Sequence, residues 1–249
     1  MADDEGTAAP AGEQVAHGVA PFAAYGGHFS TDNQLYAASG YAVLSANPRG
    51  STSYGAAFAN EIDKQYPGND YFDLISLVDR AIELGVADPD ALFVTGGSGG
   101  GVLTSWIVGK TNRFKAAVTQ KPVINWTTQA LTADGPGFFG PYWLGAEPWE
   151  KPELFWSRSP LSLVGNVETP TLVIVGAEDY RTPVSESEQY YTALRLRGVP
   201  SALIKVPGAS HGSIAARPSQ SAAKASAILA WFEKYKKGWT RPAGDMAAK

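Results

Sequence analysis

The chain of 249 residues has no cysteine, three histidines and two methionines. Without cysteine there are no disulfides, no thiolate catalysis and no cysteine-ligated zinc, although the compartment stays undecided. Basic charge is also scarce: 20 Lys and Arg stand against 24 Asp and Glu, a net charge of -4. That balance argues against nucleic acid or an anionic membrane surface as a partner. No run of about 18 apolar residues occurs, so no transmembrane helix is expected. The opening Met1-Ala2-Asp3-Asp4-Glu5-Gly6 is acidic and has no apolar core behind it, the wrong chemistry for a secretory signal. A soluble, cytoplasmic protein is therefore expected. What remains is an ordinary globular composition, 44% hydrophobic and 18% charged, long enough for one sizeable α/β domain.

The densest chemical signal lies at residues 91–104. An apolar run, Leu92-Phe93-Val94, leads into Gly96-Gly97-Ser98-Gly99-Gly100 and then into a helical pattern beginning at Val102. G-x-S-x-G between a strand and a helix is the nucleophile-elbow pattern, in which a strained turn lifts the serine hydroxyl out of the sheet. The glycines let strand and helix approach closely. A phosphate cradle is the competing reading of a glycine-rich turn. The G-x-G-x-x-G fingerprint fails, because Val102 stands sixth from Gly97. A phosphate loop ending in Gly109-Lys110-Thr111 fails as well, because Thr104 occupies the first glycine position.

Other segments supply the frame. Residues 41–47, 114–119, 171–176 and 201–206 read as strands, and 71–84, 184–197 and 218–236 as helices, with Gly85 a C-cap candidate. Strands alternating with helices imply a mostly parallel sheet covered on both faces. Residues 1–16 and 239–249 are expected to be disordered around a catalytic domain at 17–238.

A serine nucleophile needs a base, and histidine has a suitable pKa. In the α/β-hydrolase order the acid and then the histidine follow the serine. Among His17, His28 and His211 only His211 follows Ser98, in a loop after an apolar strand. The acid belongs after a strand between them, where Glu178 and Asp179 both qualify. A turn or helix-cap role competes for Asp179.

Four stretches taken together resemble the prolyl oligopeptidase family of serine peptidases, in its acylaminoacyl-peptidase and dipeptidyl-aminopeptidase branch. They are Asn47-Pro48-Arg49-Gly50-Ser51, Gly96-Gly97-Ser98-Gly99-Gly100, Asp179-Tyr180-Arg181-Thr182-Pro183 and Pro207-Gly208-Ala209-Ser210-His211-Gly212. The resemblance implies an α/β-hydrolase fold with Ser98 as nucleophile, Asp179 rather than Glu178 as acid, His211 as base, and no metal or organic cofactor.

The chain departs from the family in three respects. Members usually carry a β-propeller, for which this length leaves no room, and the first strands of the hydrolase sheet are expected to be lacking. The branch's His-Gly-Gly-Pro oxyanion loop is replaced by His17-Gly18-Val19-Ala20-Pro21. The backbone N–H of Gly99 is one oxyanion donor. The second is a backbone amide near Gly18 or the hydroxyl of Tyr25. A missing central strand would expose a sheet edge, which predicts a homo-oligomer.

Between Trp126 and Trp156 aromatics are dense, and Phe138, Phe139, Tyr142 and Trp143 are candidates for an apolar substrate pocket. The bland alternative is a long loop packed on the body by its rings. For Arg181 a structural ion pair is expected over a substrate contact. The resemblance implies hydrolysis of short peptides or aminoacyl amides through an acyl-Ser98 intermediate. The alternatives are an esterase using the same triad and an inactive domain serving as a binding or assembly module.

Overall fold

Six short strands form one sheet in the order β2-β1-β3-β4-β5-β6, with every neighbouring pair parallel. The strands are β1 (Glu13–His17), β2 (Tyr41–Ser45), β3 (Leu92–Gly97), β4 (Ala116–Gln120), β5 (Thr171–Gly176) and β6 (Ser201–Val206). The computed structural model describes residues 13–17 by their backbone, and residues 30–213 and 216–240 in full.

Helices cover both faces. The longer ones are α1 (Thr31–Ala38), α3 (Asp70–Glu83), α4 (Gly99–Lys110), α7 (Val184–Leu196) and α8 (Pro218–Tyr235). The short ones are α2 (Ala56–Ala59), α5 (Trp126–Thr132) and α6 (Pro152–Arg158).

The alternation of each strand sorts its side chains between two cores. Leu92, Val94, Ala117 and Val173 pack with Leu74 and Val78 of α3, Leu103 and Ile107 of α4, and Tyr190 and Leu194 of α7. Phe93, Ala116, Val118, Leu172 and Ile174 face the opposite way, onto Tyr36 of α1 and Ile228 and Phe232 of α8. Each such aliphatic or aromatic side chain, fully buried, contributes about 1.5–3 kcal/mol. Helix α4 is buried from Gly100 to Gly109 because the sheet lies on one side of it and the 3₁₀ segment Pro160–Asn166 on the other. That explains its lack of a polar face. Helix α3 is amphipathic instead. It opens with Asp70 and Asp73 in its first turn, where the helix dipole favours acidic groups. Gly85, in the left-handed region at φ 69°, turns the chain away after its end.

Two expectations need correction. Residues 13–17 form a strand, so the segment expected to be disordered up to residue 16 ends in a strand that lies inside the sheet, second from its edge, between β2 and β3. The expected gap beside β3 does not exist, so the argument for a homo-oligomer loses its premise. The mixed polarity of Glu13-Gln14-Val15-Ala16-His17 hides a strand whose place is set by its two neighbours. The stretch read as an aromatic loop is also regular in large part, built from α5, a π-helical turn at Phe138–Leu144, and α6. Among the described residues no helix is long and apolar enough to cross a membrane.

Candidate active site

Ser98 is the single residue between the end of β3 and the start of α4. It has φ 58° and ψ -119°, a conformation that costs a residue with a Cβ about 1–3 kcal/mol. The surrounding backbone holds it there: the Ser98 N–H donates to the Gln120 carbonyl at 2.9 Å. Close approach of α4 to the end of β4 requires Gly101, since a Cβ there would lie 2.6 Å from the Gln120 carbonyl oxygen.

His211 lies in the loop after β6, and its Nε2 is 2.9 Å from Ser98 Oγ. Its Nδ1 is 2.9 Å from Asp179 Oδ2 and 3.1 Å from Oδ1. This network assigns the ring proton to Nδ1, donating to the carboxylate and leaving Nε2 to accept from the serine hydroxyl. Gly176, at the end of β5, permits the approach of the histidine loop. A Cβ there would overlap the Ala209 carbonyl.

Asp179 is 2% exposed. Burial alone raises its pKa, but hydrogen bonds from His211 and from the Thr182 amide outweigh it and hold the carboxyl below its ordinary value. The Thr182 N–H donates at 2.9 Å and the Arg181 N–H at 3.0 Å. Glu178 is exposed and lies outside this network, so geometry selects Asp179 where position alone left two candidates.

A cavity of about 350 Å³ opens beside Ser98 and His211. Its walls are Tyr66, Val102, Val123, Trp126, Phe138, Phe139 and Trp143, with Arg181 and Thr182 also lining it. Three of the four predicted pocket residues are therefore present. Tyr142 is not among them: it is 69% exposed and stacks on the far side of Phe138, with ring centroids 5.1 Å apart. Arg181 pairs with Asp134 at 2.6 Å, as its structural reading anticipates.

Tyr66, Val102 and Val123 carry no local signal in the sequence for this wall, and Trp126 stands at the start of the aromatic stretch without being one of the four named candidates. The Tyr66 hydroxyl donates to the Gly99 carbonyl at 2.6 Å, and Arg158 of α6 grips the flanking carbonyls of Gln65 and Pro67, each at 2.9 Å. Val123 and Trp126 stand in the segment after β4, which the buried Glu186 fastens by accepting from the Ile124 and Asn125 amides at 2.8 Å. One usable signal existed: in parallel sheets, segments after the carboxyl ends of strands build the site. Gly99 is the first residue of α4, where amides lack intrahelical acceptors. Gly18 and Tyr25 lie outside the described residues.

A serine on a strained strand-to-helix turn, bonded to a histidine that is bonded to a buried aspartate, on a parallel sheet flanked by helices, defines an α/β-hydrolase. Residues 27–238 match the family model described as the prolyl oligopeptidase family, and the chain belongs to that family. It is 42% identical over 217 residues to an uncharacterized peptidase, YuxL, of Bacillus subtilis, covering 86% of this chain and 33% of that protein. It is 34% identical to an acylamino-acid-releasing enzyme of Arabidopsis thaliana, covering 83% of this chain and 28% of that one. An acylaminoacyl peptidase structure from Pyrococcus horikoshii superposes with a TM-score of 0.87 at 27% identity, over 94% of this chain and 39% of that one. The chain thus spans a third or less of the length of these two curated relatives.

Proposed function

We propose that this chain is the catalytic unit of a serine peptidase that cleaves short peptides or aminoacyl amides through an acyl-Ser98 intermediate. Ser98 Oγ attacks the scissile carbonyl while His211 Nε2 takes its proton. The oxyanion forms against the Gly99 N–H, and the imidazolium then protonates the leaving amine. Asp179, ionised and buried, fixes the ring tautomer and stabilises the imidazolium. Water repeats the sequence to release the acyl group. The observation that carries this reading is the continuous hydrogen-bonded chain from Asp179 through His211 to Ser98, ending at the mouth of the cavity.

The substrate preference follows from the cavity walls. Tyr66, Val102, Val123, Trp126, Phe139 and Trp143 favour an apolar or aromatic side chain on the acyl side of the cleaved bond. The names of the relatives support a blocked or short aminoacyl substrate. The test is hydrolysis of N-acetyl-aminoacyl anilides carrying Phe, Leu, Ala or Asp. Phe and Leu are expected to give kcat/KM values at least about tenfold above Asp. Turnover of p-nitrophenyl acyl esters together with inertness toward every anilide would replace the peptidase reading with an esterase. Inertness toward both would leave a binding module.

A further inference from the structure

The segment that leaves β4, Gln120-Lys121, touches the carriers of all three proposed catalytic side chains. The Gln120 carbonyl accepts from the Ser98 N–H at 2.9 Å. The Lys121 carbonyl accepts from the Thr182 hydroxyl at 3.1 Å, and that hydroxyl lies 3.2 Å from both Asp179 Oδ2 and His211 Nδ1. The Lys121 ammonium donates to the backbone carbonyl of His211 at 2.7 Å.

Several features distinguish Lys121 from a solvated surface lysine. It is partly buried, and its stem passes 3.4 Å from where a Cβ on Gly97 would lie, one residue before the nucleophile. Its backbone is in the left-handed region at φ 41°, unusual for a residue with a Cβ, and its N–H donates to the Ile174 carbonyl at 2.6 Å. Burial pulls its pKa down, Asp179 favours its charged form, and Lys224 opposes it. The strained turn thus aims a charged donor at the one backbone carbonyl that belongs to the histidine.

We propose that Lys121 is a positioning residue: its ammonium fixes the His211 loop, and its carbonyl orients the Thr182 hydroxyl against the Asp179–His211 pair. The proposal rests on the peptidase reading for its catalytic meaning, though not for its geometry. Hydrogen bonds to a charged donor are among the stronger ones, and a long flexible stem reaches a loop that the sheet does not pin. Loss of the ammonium removes the loop's bond at His211 itself, leaving the imidazole held by Asp179 and able to shift relative to Ser98. Misplacement by about 1 Å at a reacting group can cost about 100-fold in rate.

The experiment compares the full chain with Lys121→Met and Lys121→Arg, each checked for folding by circular dichroism. Steady-state kinetics on N-acetyl-phenylalanyl anilide gives kcat and KM separately. Proton NMR follows the downfield Nδ1–H resonance of His211, assigned by its loss in His211→Gln. For Lys121→Met, kcat is expected to fall about 10- to 100-fold with KM within about threefold, and the resonance to broaden by exchange. Arginine, keeping a charged donor, is expected to recover most of kcat and a sharp resonance. Wild-type kcat with a sharp resonance in Lys121→Met overturns the proposal. So does a loss that arginine fails to rescue while the resonance stays sharp. If wild type shows no turnover and no labelling at Ser98 by a fluorophosphonate, the peptidase reading falls. The resonance comparison needs no turnover and still decides the role of Lys121.

Discussion

Replacing Asp70 by asparagine is expected to remove a pH-dependent loss of stability, so that the variant gains on the natural chain as pH rises from about 4 to about 6. Asp70 is 1% exposed in the first turn of α3. Its Oδ1 accepts from the Gly68 N–H at 2.6 Å and the Tyr71 N–H at 3.1 Å, while its buried Oδ2 has no hydrogen-bond partner. Burial raises the carboxyl's pKa more than the Gly68 and Tyr71 amides lower it, moving it from 3.8 to about 6. Between those values the native state holds a proton that the unfolded state has released. Stability therefore falls as pH rises from about 4 to about 6, then levels off. At about 1.4 kcal/mol per pH unit, the ionised carboxylate costs the native state about 3 kcal/mol above pH 6. Asparagine keeps the oxygen acceptor and carries no charge. Its amide buries two N–H donors beside the unpartnered position where the protonated acid buries one O–H, so the variant starts below the natural chain at low pH by the cost of the extra donor, about 1–3 kcal/mol. Urea unfolding at intervals from pH 4 to pH 8, followed by tryptophan fluorescence, measures the difference. Between pH 4 and pH 8 the difference should move in the variant's favour by about 3 kcal/mol. A difference that does not vary with pH, or that moves against the variant as pH rises, refutes the reasoning.

Three further outcomes follow from the site. Ser98→Gly should be about 1–2 kcal/mol more stable than Ser98→Ala, because only glycine relieves the strain at φ 58°; equal urea midpoints would refute strain at the elbow. Gly176→Ala should displace the His211 loop through its clash with the Ala209 carbonyl and lower kcat by at least about tenfold; wild-type kcat in a folded variant would contradict that. Labelling of Ser98 by a fluorophosphonate should slow by at least about 100-fold in His211→Gln, which lacks the ring nitrogen that accepts the serine proton. An unchanged labelling rate in that variant would remove His211 from the base's role.

The sequence disclosed most where local pattern and burial coincide. Strand β5 is wholly buried, and 171–176 reads as a continuous apolar run. Helix α3 buries Leu74, Val78 and Ala81, spaced as one helical face. The elbow was legible because a strained serine turn admits few residues around it. Helix α1 was not: only Tyr36 is buried in Thr-Asp-Asn-Gln-Leu-Tyr-Ala-Ala, so no apolar periodicity marks it. Strand β1 was missed because parallel pairing with β2 and β3, and not its composition, sets its place. The pocket was half visible. Phe138, Phe139 and Trp143 come from one aromatic cluster, whereas Tyr66 reaches the same wall from across the chain through its bond to Gly99. Tyr142 belongs to that cluster in sequence, but the π-helical turn points it outward. Lys121 carries no motif at all; its role arises from three contacts that only the folded chain assembles.

The central claim is that Ser98, His211 and Asp179 form a working nucleophilic site. The most direct measurement is reaction with a fluorophosphonate probe, the adduct located by mass spectrometry, with Ser98→Ala as control. One equivalent of label on Ser98, absent from the alanine variant, is the predicted result. A folded protein that takes no label, or takes it elsewhere, would contradict the account.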